Sequence, residues 1–580
     1  MENVTFGGNE RGSVMGAEDG HILDSEVKNC QVKHFQFGGV SLLNPPILQS
    51  MKVGLKFHAI SSFQSAGGII NANVSGLTTT GSEFNTSPDQ FYGYSDYASV
   101  TGSTHIAASR LIELLADGHS SFGQYSTGNI PKIQAQLNGC NLVGRRDIDP
   151  NKGWEFGVYS VCDSGGGAAA GGDFHSSIGL SIDGCELSGF ELDAVYAVAN
   201  TNTKNVASLS NSRLHSNGQP DSGPVGGNGL HVFSMEGYAA AKDNGSELYG
   251  NTQRGFFAHT MGTRLGGTNT APMGTWIGLS GTDVHSNLGH GIQLAGPYTF
   301  LDVGQGGIVG GTIDQFYIGS YSLIVEPGKP FIEDYGIGFV NSATIHDNAG
   351  DGVHVWLNHT PFGHRSFASC IFTNCFIWGN SGNGFSIENK VLNDTPFVYF
   401  LTPISHCTIA QNQGLSFSTK NISATNDSFF YWTDPAATGG HPILDPKMRI
   451  HNSIFEATNS TNPDVDFATS TLLSSIGAFV SYSRIGIGGT RGVDDGGINP
   501  LPGPESTKLD SPFAGKLNPA LSYPNWLFLQ APGPLTEFTN ATPKLLNDLG
   551  EVLSDEDFQQ AHSRPGFATG DRDKGAHEVY

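Results

Sequence analysis

Three stretches decide the fold. The first is Asn341-Ser-Ala-Thr-Ile-His-Asp-Asn348 followed by Gly352-Val-His-Val355. The second is Asn374-Cys-Phe-Ile-Trp-Gly-Asn380 followed by Gly384-Phe-Ser-Ile387, and the third His406-Cys-Thr-Ile-Ala-Gln-Asn412 followed by Gly414-Leu-Ser-Phe417. Each reads small residue, polar, aliphatic, two variable places, Asn, a short turn, Gly, apolar, polar, apolar. The aliphatic marks Ile345, Ile377 and Ile409 lie 32 residues apart. A fixed period of alternating strands predicts a solenoid of stacked β-coils.

Working outward, the same pattern places marks at Val32, Leu142, Leu187, Leu214, Leu248, Val284 and Ile313, and more loosely at Ile454 and Ile485. Two places before the mark the column is small: Cys30, Cys140, Cys185, Ser212, Ser246, Thr282, Gly311, Ala343, Cys375 and Cys407. Alternation along a strand points this column inward with the mark, so the cysteines read as buried core rather than disulfides or metal ligands. Three places after the mark stand Asn217, Asn251, Asn287, Asn348, Asn380 and Asn412, with Phe35, Phe190 and Phe316 in the same column. Asn tolerates left-handed backbone and stacks into hydrogen-bonded ladders. The following Gly supplies the bend into a second strand. Residues 103–116 read as one short helix, and 163–173, 391–403 and 425–447 as loops.

The composition agrees. The chain of 580 residues has 79 Gly and only 14% charged residues, which suits short strands and tight turns, while 38% hydrophobic content and 36 Phe exclude disorder. A net charge of -24 argues against nucleic-acid or anionic-membrane partners. No apolar run is long enough to span a bilayer. The start, MENVTFGGNERGSVMG, shows no secretion signal and enters strand pattern at once, so a trimmed N-terminus is expected. From about residue 496 seven prolines between Pro500 and Pro532 break the ladder. The expected architecture is therefore all-β, a parallel β-helix over 1–495 and an irregular Pro-rich C-terminal cap over 496–580.

With its repeated Asn-turn-Gly pattern and the ending Gly570-Asp-Arg-Asp-Lys-Gly-Ala-His-Glu578, the chain resembles the bacterial right-handed parallel β-helix repeat proteins, the superfamily that includes the pectate-lyase-like enzymes. The resemblance implies an extracellular or cell-surface β-helix, an architecture that carries lyases, hydrolases, epimerases, phage tailspikes and surface proteins alike; an action on polysaccharide is read from the outward residues. Gly289-His290-Gly291 resembles an element of polygalacturonase-type hydrolases, but no Asn-Thr-Asp-Gly or Asp-Asp element precedes it and no Arg-Ile-Lys follows it. The repeat's own Gly turn accounts for it.

Candidate chemistry lies on the outward positions beside the marks. Arg213, Glu247 and Asp283 precede a mark, and His215, Tyr249, His285, His346 and Trp378 follow one. Coils in register bring such columns within about 4.8 Å of each other. Arg213, Glu247, Asp283 and His285 are the candidate catalytic residues. Glu247 and Asp283 would serve as the acid and base of a glycoside hydrolase. Arg213 with His215 or His285 would instead serve a lyase, which takes a proton next to a uronate carboxylate. Tyr249, His215, His346 and Trp378, with His231 and His354 from the second strand, form a candidate glycan-binding face. Asp147, Asp149 and Asn151 alternate as calcium ligands do, so calcium is the candidate ion although no cofactor is required. The competing reading is a non-catalytic surface, adhesive or fibre-forming module that self-associates end to end.

Overall fold

The computed structural model describes residues 53–60, 69–79, 110–118, 131–144, 154–163, 175–200, 203–218, 226–235, 237–261, 274–298, 338–357, 366–389, 398–401, 404–405 and 407–420, together with isolated short strands before and after them. The chain forms two compact units. The first comprises Met1–Ile277, Asn287–Gly289 and Pro297–Thr312, and the second Gly278–Ser286, His290–Gly296 and Ile313–Tyr580.

Each unit is a parallel β-helix in which a coil gives one strand to each of three sheets. In the first unit, sheet 1 stacks Lys132–Asn138, Ser177–Asp183, Lys204–Ser210 and Tyr238–Asn244. Sheet 2 stacks the short strands Asn141–Val143, Glu186–Ser188, Arg213–His215 and Glu247–Tyr249. Sheet 3 stacks Arg110–Asp117, Phe156–Asp163, Val195–Ala199, Leu230–Met235 and Phe256–Met261. The second unit repeats the plan, with Asp283–His285, Thr344–His346, Phe376–Trp378 and Thr408–Ala410 in sheet 2. Its sheet 3 includes Ile292–Tyr298, Val353–Leu357, Phe385–Asn389 and Phe417–Lys420. Among the described residues no helix is long and apolar enough to cross a membrane.

The marks form the core. Leu142, Leu187, Leu214 and Leu248 are in register in the first unit, as are Val284, Ile345, Ile377 and Ile409 in the second, and all are fully buried. The small column before them is a hydrogen-bonded ladder. Cys140 N donates to Cys185 Sγ (3.3 Å), Cys185 N to Ser212 Oγ (3.1 Å) and Ser212 N to Ser246 Oγ (3.0 Å). Cys140, Cys162, Cys185, Cys375 and Cys407 are buried thiols outside any disulfide. The Asn ladder also forms: Asn217 Nδ2 donates to Asn251 Oδ1 (2.8 Å) and Asn251 Nδ2 to Asn287 Oδ1 (2.9 Å). In the second unit Asn348 and Asn380 each donate to the next Asn at 2.9 Å.

Several expectations are corrected. The left-handed corner is not the Asn but the residue before it, as at Ser216 (φ 57°), Asp347 (φ 52°), Gly379 (φ 66°) and Gln411 (φ 55°), and a second left-handed corner precedes the strand, as at Asn211 and Asn374. The helix read over 103–116 is, from 110, the strand Arg110–Asp117. Its side chains are buried on both faces through Leu114, so its apolar run lacks the alternation of a half-exposed strand. Val284 pairs directly with Ile345, so no coil marked by Ile313 stands between them; residues 311–316 lie outside the described residues. A coil hidden in the gap after Val32 has Thr79 at the mark, in register with Val32, where a polar residue masks it. The late mark is Phe455 rather than Ile454, paired with Ile409 and Ile485. In the third repeat Phe417, not Leu415, faces Phe385. Of the expected cap, only the antiparallel pair Leu545–Leu546 and Val552–Ser554 lies among the described residues.

Candidate functional site

Sheet 2 carries most of the residues chosen from sequence, and the structure sorts them into columns. In the first unit Arg213 Nε lies 3.2 Å from Glu247 Oε2, a solvated pair worth about 1 kcal/mol or less. His215 Nε2 lies 3.2 Å from Glu186 Oε1 and its ring stacks on Tyr249 at 4.6 Å. Glu186 shares the Arg213 column and was missed. In the second unit His285, His346 and Trp378 stack face to face at 4.9 and 4.7 Å. His346 is held between carboxylates, Nε2 at 3.2 Å from Asp283 Oδ1 and Nδ1 at 2.9 Å from Asp347 Oδ2. Thr344 Oγ1 also donates to Asp283 Oδ1 (2.6 Å).

This geometry revises two roles. Burial pushes the Asp283 carboxyl up, but hydrogen bonds from His346 and Thr344 and the nearby imidazoles outweigh it and hold the pKa below the ordinary value. Burial likewise opposes charge on His346, yet its bonds to Asp283 and Asp347 raise its pKa. A glycosidase acid needs the opposite shift. Glu247 and Asp283 belong to different units, and each is bound to a cation of its own unit. The rings stack on one another, so along the stack they present edges rather than faces to a sugar.

Sheet 3 of the first unit holds a second constellation. Val195, Leu230 and Phe256 face the core, and alternation sends Tyr196, His231 and Phe257 outward in one column, with Phe233 and His259 in register in the next. On this face even outward side chains are buried: His231 is 0% and His259 8% exposed. Asp193, in the turn before its strand, accepts Asn228 N (2.7 Å) and Nδ2 (2.8 Å) on Oδ1. Its Oδ2 lies 2.9 Å from His231 Nδ1, and His231 Nε2 lies 3.0 Å from His259 Nδ1. A carboxylate only accepts, so the neutral chain has one polarity: His231 donates from Nδ1, accepts at Nε2 from His259 Nδ1–H, and leaves the lone pair of His259 on Nε2. Burial, reinforced by His231 and Arg254, holds the His259 pKa well below the usual histidine value. The Arg254 guanidinium lies 4.2 Å over the Phe257 ring, and its Nη1 donates to Asn228 Oδ1 (3.4 Å).

Of this set the sequence reading contained only His231. The signal for His259 was the register: Phe233 pairs with His259, so a histidine two residues past the outward position of one coil lies diagonal to His231 in the coil before. Asp193 sits in a turn, where an acid reads as a turn former.

In the second unit, His354 faces Ser386 of the following coil (Nδ1 to Oγ, 2.8 Å). His354 Nδ1 and His290 Nδ1 lie 3.2 and 3.8 Å from Asp351 Oδ2. The two imidazoles stack at 4.4 Å. Burial works against ionisation of Asp351, but hydrogen bonds from His354 and Ser386 and the charges of both histidines bring its pKa to about 2. Among the described residues His290, Asp351 and His354 are the group whose ligand atoms converge as a metal site requires. The proposed calcium ligands Asp147, Asp149 and Asn151 lie outside the described residues.

No protein-family model matches the chain, and no curated protein does. Two similar solved structures are A-modules of mannuronan C-5 epimerases from Azotobacter vinelandii. The AlgE6 A-module is 9% identical over 78% of this chain and 89% of that one, with a TM-score of 0.34. The AlgE4 A-module is 12% identical over 74% of this chain and 86% of that one, with a TM-score of 0.23. The fold assignment, a parallel β-helix, rests on the strand pairing of the chain itself.

Proposed function

We propose that the protein is an extracellular enzyme that cleaves an acidic polysaccharide by β-elimination on the outer face of sheet 3 in its first unit. The observation that supports this reading is the Asp193–His231–His259 chain beside Arg254. Elimination from a uronate breaks the C5–H and C4–O bonds and forms C4=C5. The C5 proton passes to His259 Nε2, and the departing oxygen takes a proton from water. Arg254 supplies the cation that offsets charge building on the uronate carboxylate. Asp193 and His231 are positioning residues: they fix the tautomer and orientation of His259. A histidine with a depressed pKa is neutral at pH 7 and has no proton to give there, which sets His259 apart from the role of an acid.

A second reading, a glycan-binding or self-associating surface module without catalysis, draws support from the stacked rings and neutralised ion pairs of sheet 2. One experiment separates the two. The protein is incubated with polyuronates and with neutral polysaccharides, and unsaturated uronate ends are followed by ultraviolet absorbance. The enzyme reading expects product from polyuronates alone and a loss of about 10²- to 10⁴-fold in kcat for His259→Gln. Absence of product across the panel, or full activity in His259→Gln, overturns it. Binding without product would favour the surface module.

A further inference from the structure

We propose that His290, Asp351 and His354 form a binding site for a divalent metal ion of the zinc class in the second unit. The coil register makes the site. His290 and Asp351 occupy the turn before successive sheet 3 strands, because Ile292 pairs with Val353, and His354 stands one place into its strand. One ligand atom from each of the three residues lies within 4.8 Å of the others. Ligands 2.0–2.2 Å from a tetrahedral ion stand about 3.3–3.6 Å apart. The observed 3.2 Å (His354 Nδ1 to Asp351 Oδ2) and 3.8 Å (His290 Nδ1 to Asp351 Oδ2) bracket that spacing, and an ion would turn the two stacked rings so that their lone pairs meet beside Asp351.

The protonation states also fit. Asp351 N donates to His290 Nδ1 (3.0 Å), so that nitrogen already carries a lone pair. The ion replaces the proton that His354 Nδ1 shares with Asp351 and Ser386. The carboxylate is held in place from behind: Asn383 N donates to Oδ1 (2.6 Å) and Ser386 Oγ to Oδ2 (2.5 Å). Such supporting bonds are what orient a ligating carboxylate. Two imidazole nitrogens and one carboxylate oxygen suit zinc and its neighbours, whereas calcium and magnesium prefer oxygen-only sets. Three protein ligands leave a fourth position open. His290 is 28% exposed at its side chain, which gives an ion a way in.

The test is calorimetric titration of the whole, chelator-treated chain with zinc chloride. One tight zinc per chain is expected. Asp351→Asn and His354→Gln each remove it, Ser386→Ala weakens it about 10- to 100-fold, and His346→Gln, in the unrelated sheet 2 column, leaves it unchanged. The unmodified protein supplies a readout that does not depend on the variants folding. Zinc protects His290 and His354, but not His346, from diethyl pyrocarbonate as read by peptide mass spectrometry. No tight binding, binding that survives both ligand substitutions, or no protection of His290 and His354 overturns the proposal. None of these outcomes depends on whether the first unit cleaves polyuronates.

Discussion

At the scale of single residues, the corner asparagines carry the most structural weight per side chain. Asn380 Oδ1 accepts from both Asn348 N (3.1 Å) and Asn348 Nδ2 (2.9 Å), while its own Nδ2 donates to Asn412 Oδ1 (2.9 Å) and Ile345 O (3.2 Å). Asn380→Ala strands these partners in a site with no solvent exposure and is expected to cost about 2–4 kcal/mol, measured by urea unfolding. Gln411 makes the opposite case. It adopts φ 55°, which costs a side chain about 1–2 kcal/mol, while glycine loses about 0.5–1 kcal/mol of chain entropy. Gln411→Gly is therefore expected to stabilise by about 0.5 kcal/mol in the same assay. The bend glycines answer to close approach rather than to φ: a Cβ on Gly352 would stand 2.6 Å from Ile377 Cγ2 and 2.7 Å from Gly384 O. The repeated Asn and Gly were legible in the sequence. The position of the left-handed corner was not, because Ser, Asp, Gly and Gln share it.

At the scale of the elements, the sheet 2 column of the second unit is a charge device within a stack of rings. Asp283 has a lowered pKa, so its contribution is present above the ordinary carboxylate value of 3.8 and is lost as pH falls through the folded value. His346 has a raised pKa, so its contribution is complete below 6.5 and is lost as pH rises through the folded value. Together they stabilise most between about pH 4 and 6.5. His346→Gln should therefore lower the midpoint of urea unfolding more at pH 5 than at pH 9, and Asp283→Asn should lower the His346 titration midpoint seen by NMR. An equal loss at both pH values would contradict the pairing. Sheet 3 differs in that burial extends to its outward face, where Asp193 and His231 are 1% and 0% exposed. Sequence alternation predicts which side a residue faces, but not whether that side meets water.

At the scale of the whole molecule, low charge, abundant Gly and a 32-residue period already specified stacked coils, because a periodic core column has no other way to bury itself. The sequence by itself determined the fold class, the buried cysteine column and the Asn ladder. Only the tertiary structure decided which coils are neighbours. It paired Val284 with Ile345 past the apparent mark at Ile313, and it seated Thr79 where no apolar mark was visible. It likewise decided the constellations, joining Asp193 to His231 across 38 residues and His290 to Asp351 across 61. The physical reason is common to both. A coil's core is written locally, in residues that repeat, whereas loop length sets which coils stack. A site is built from single side chains that the stacking brings together, and those residues carry no period of their own.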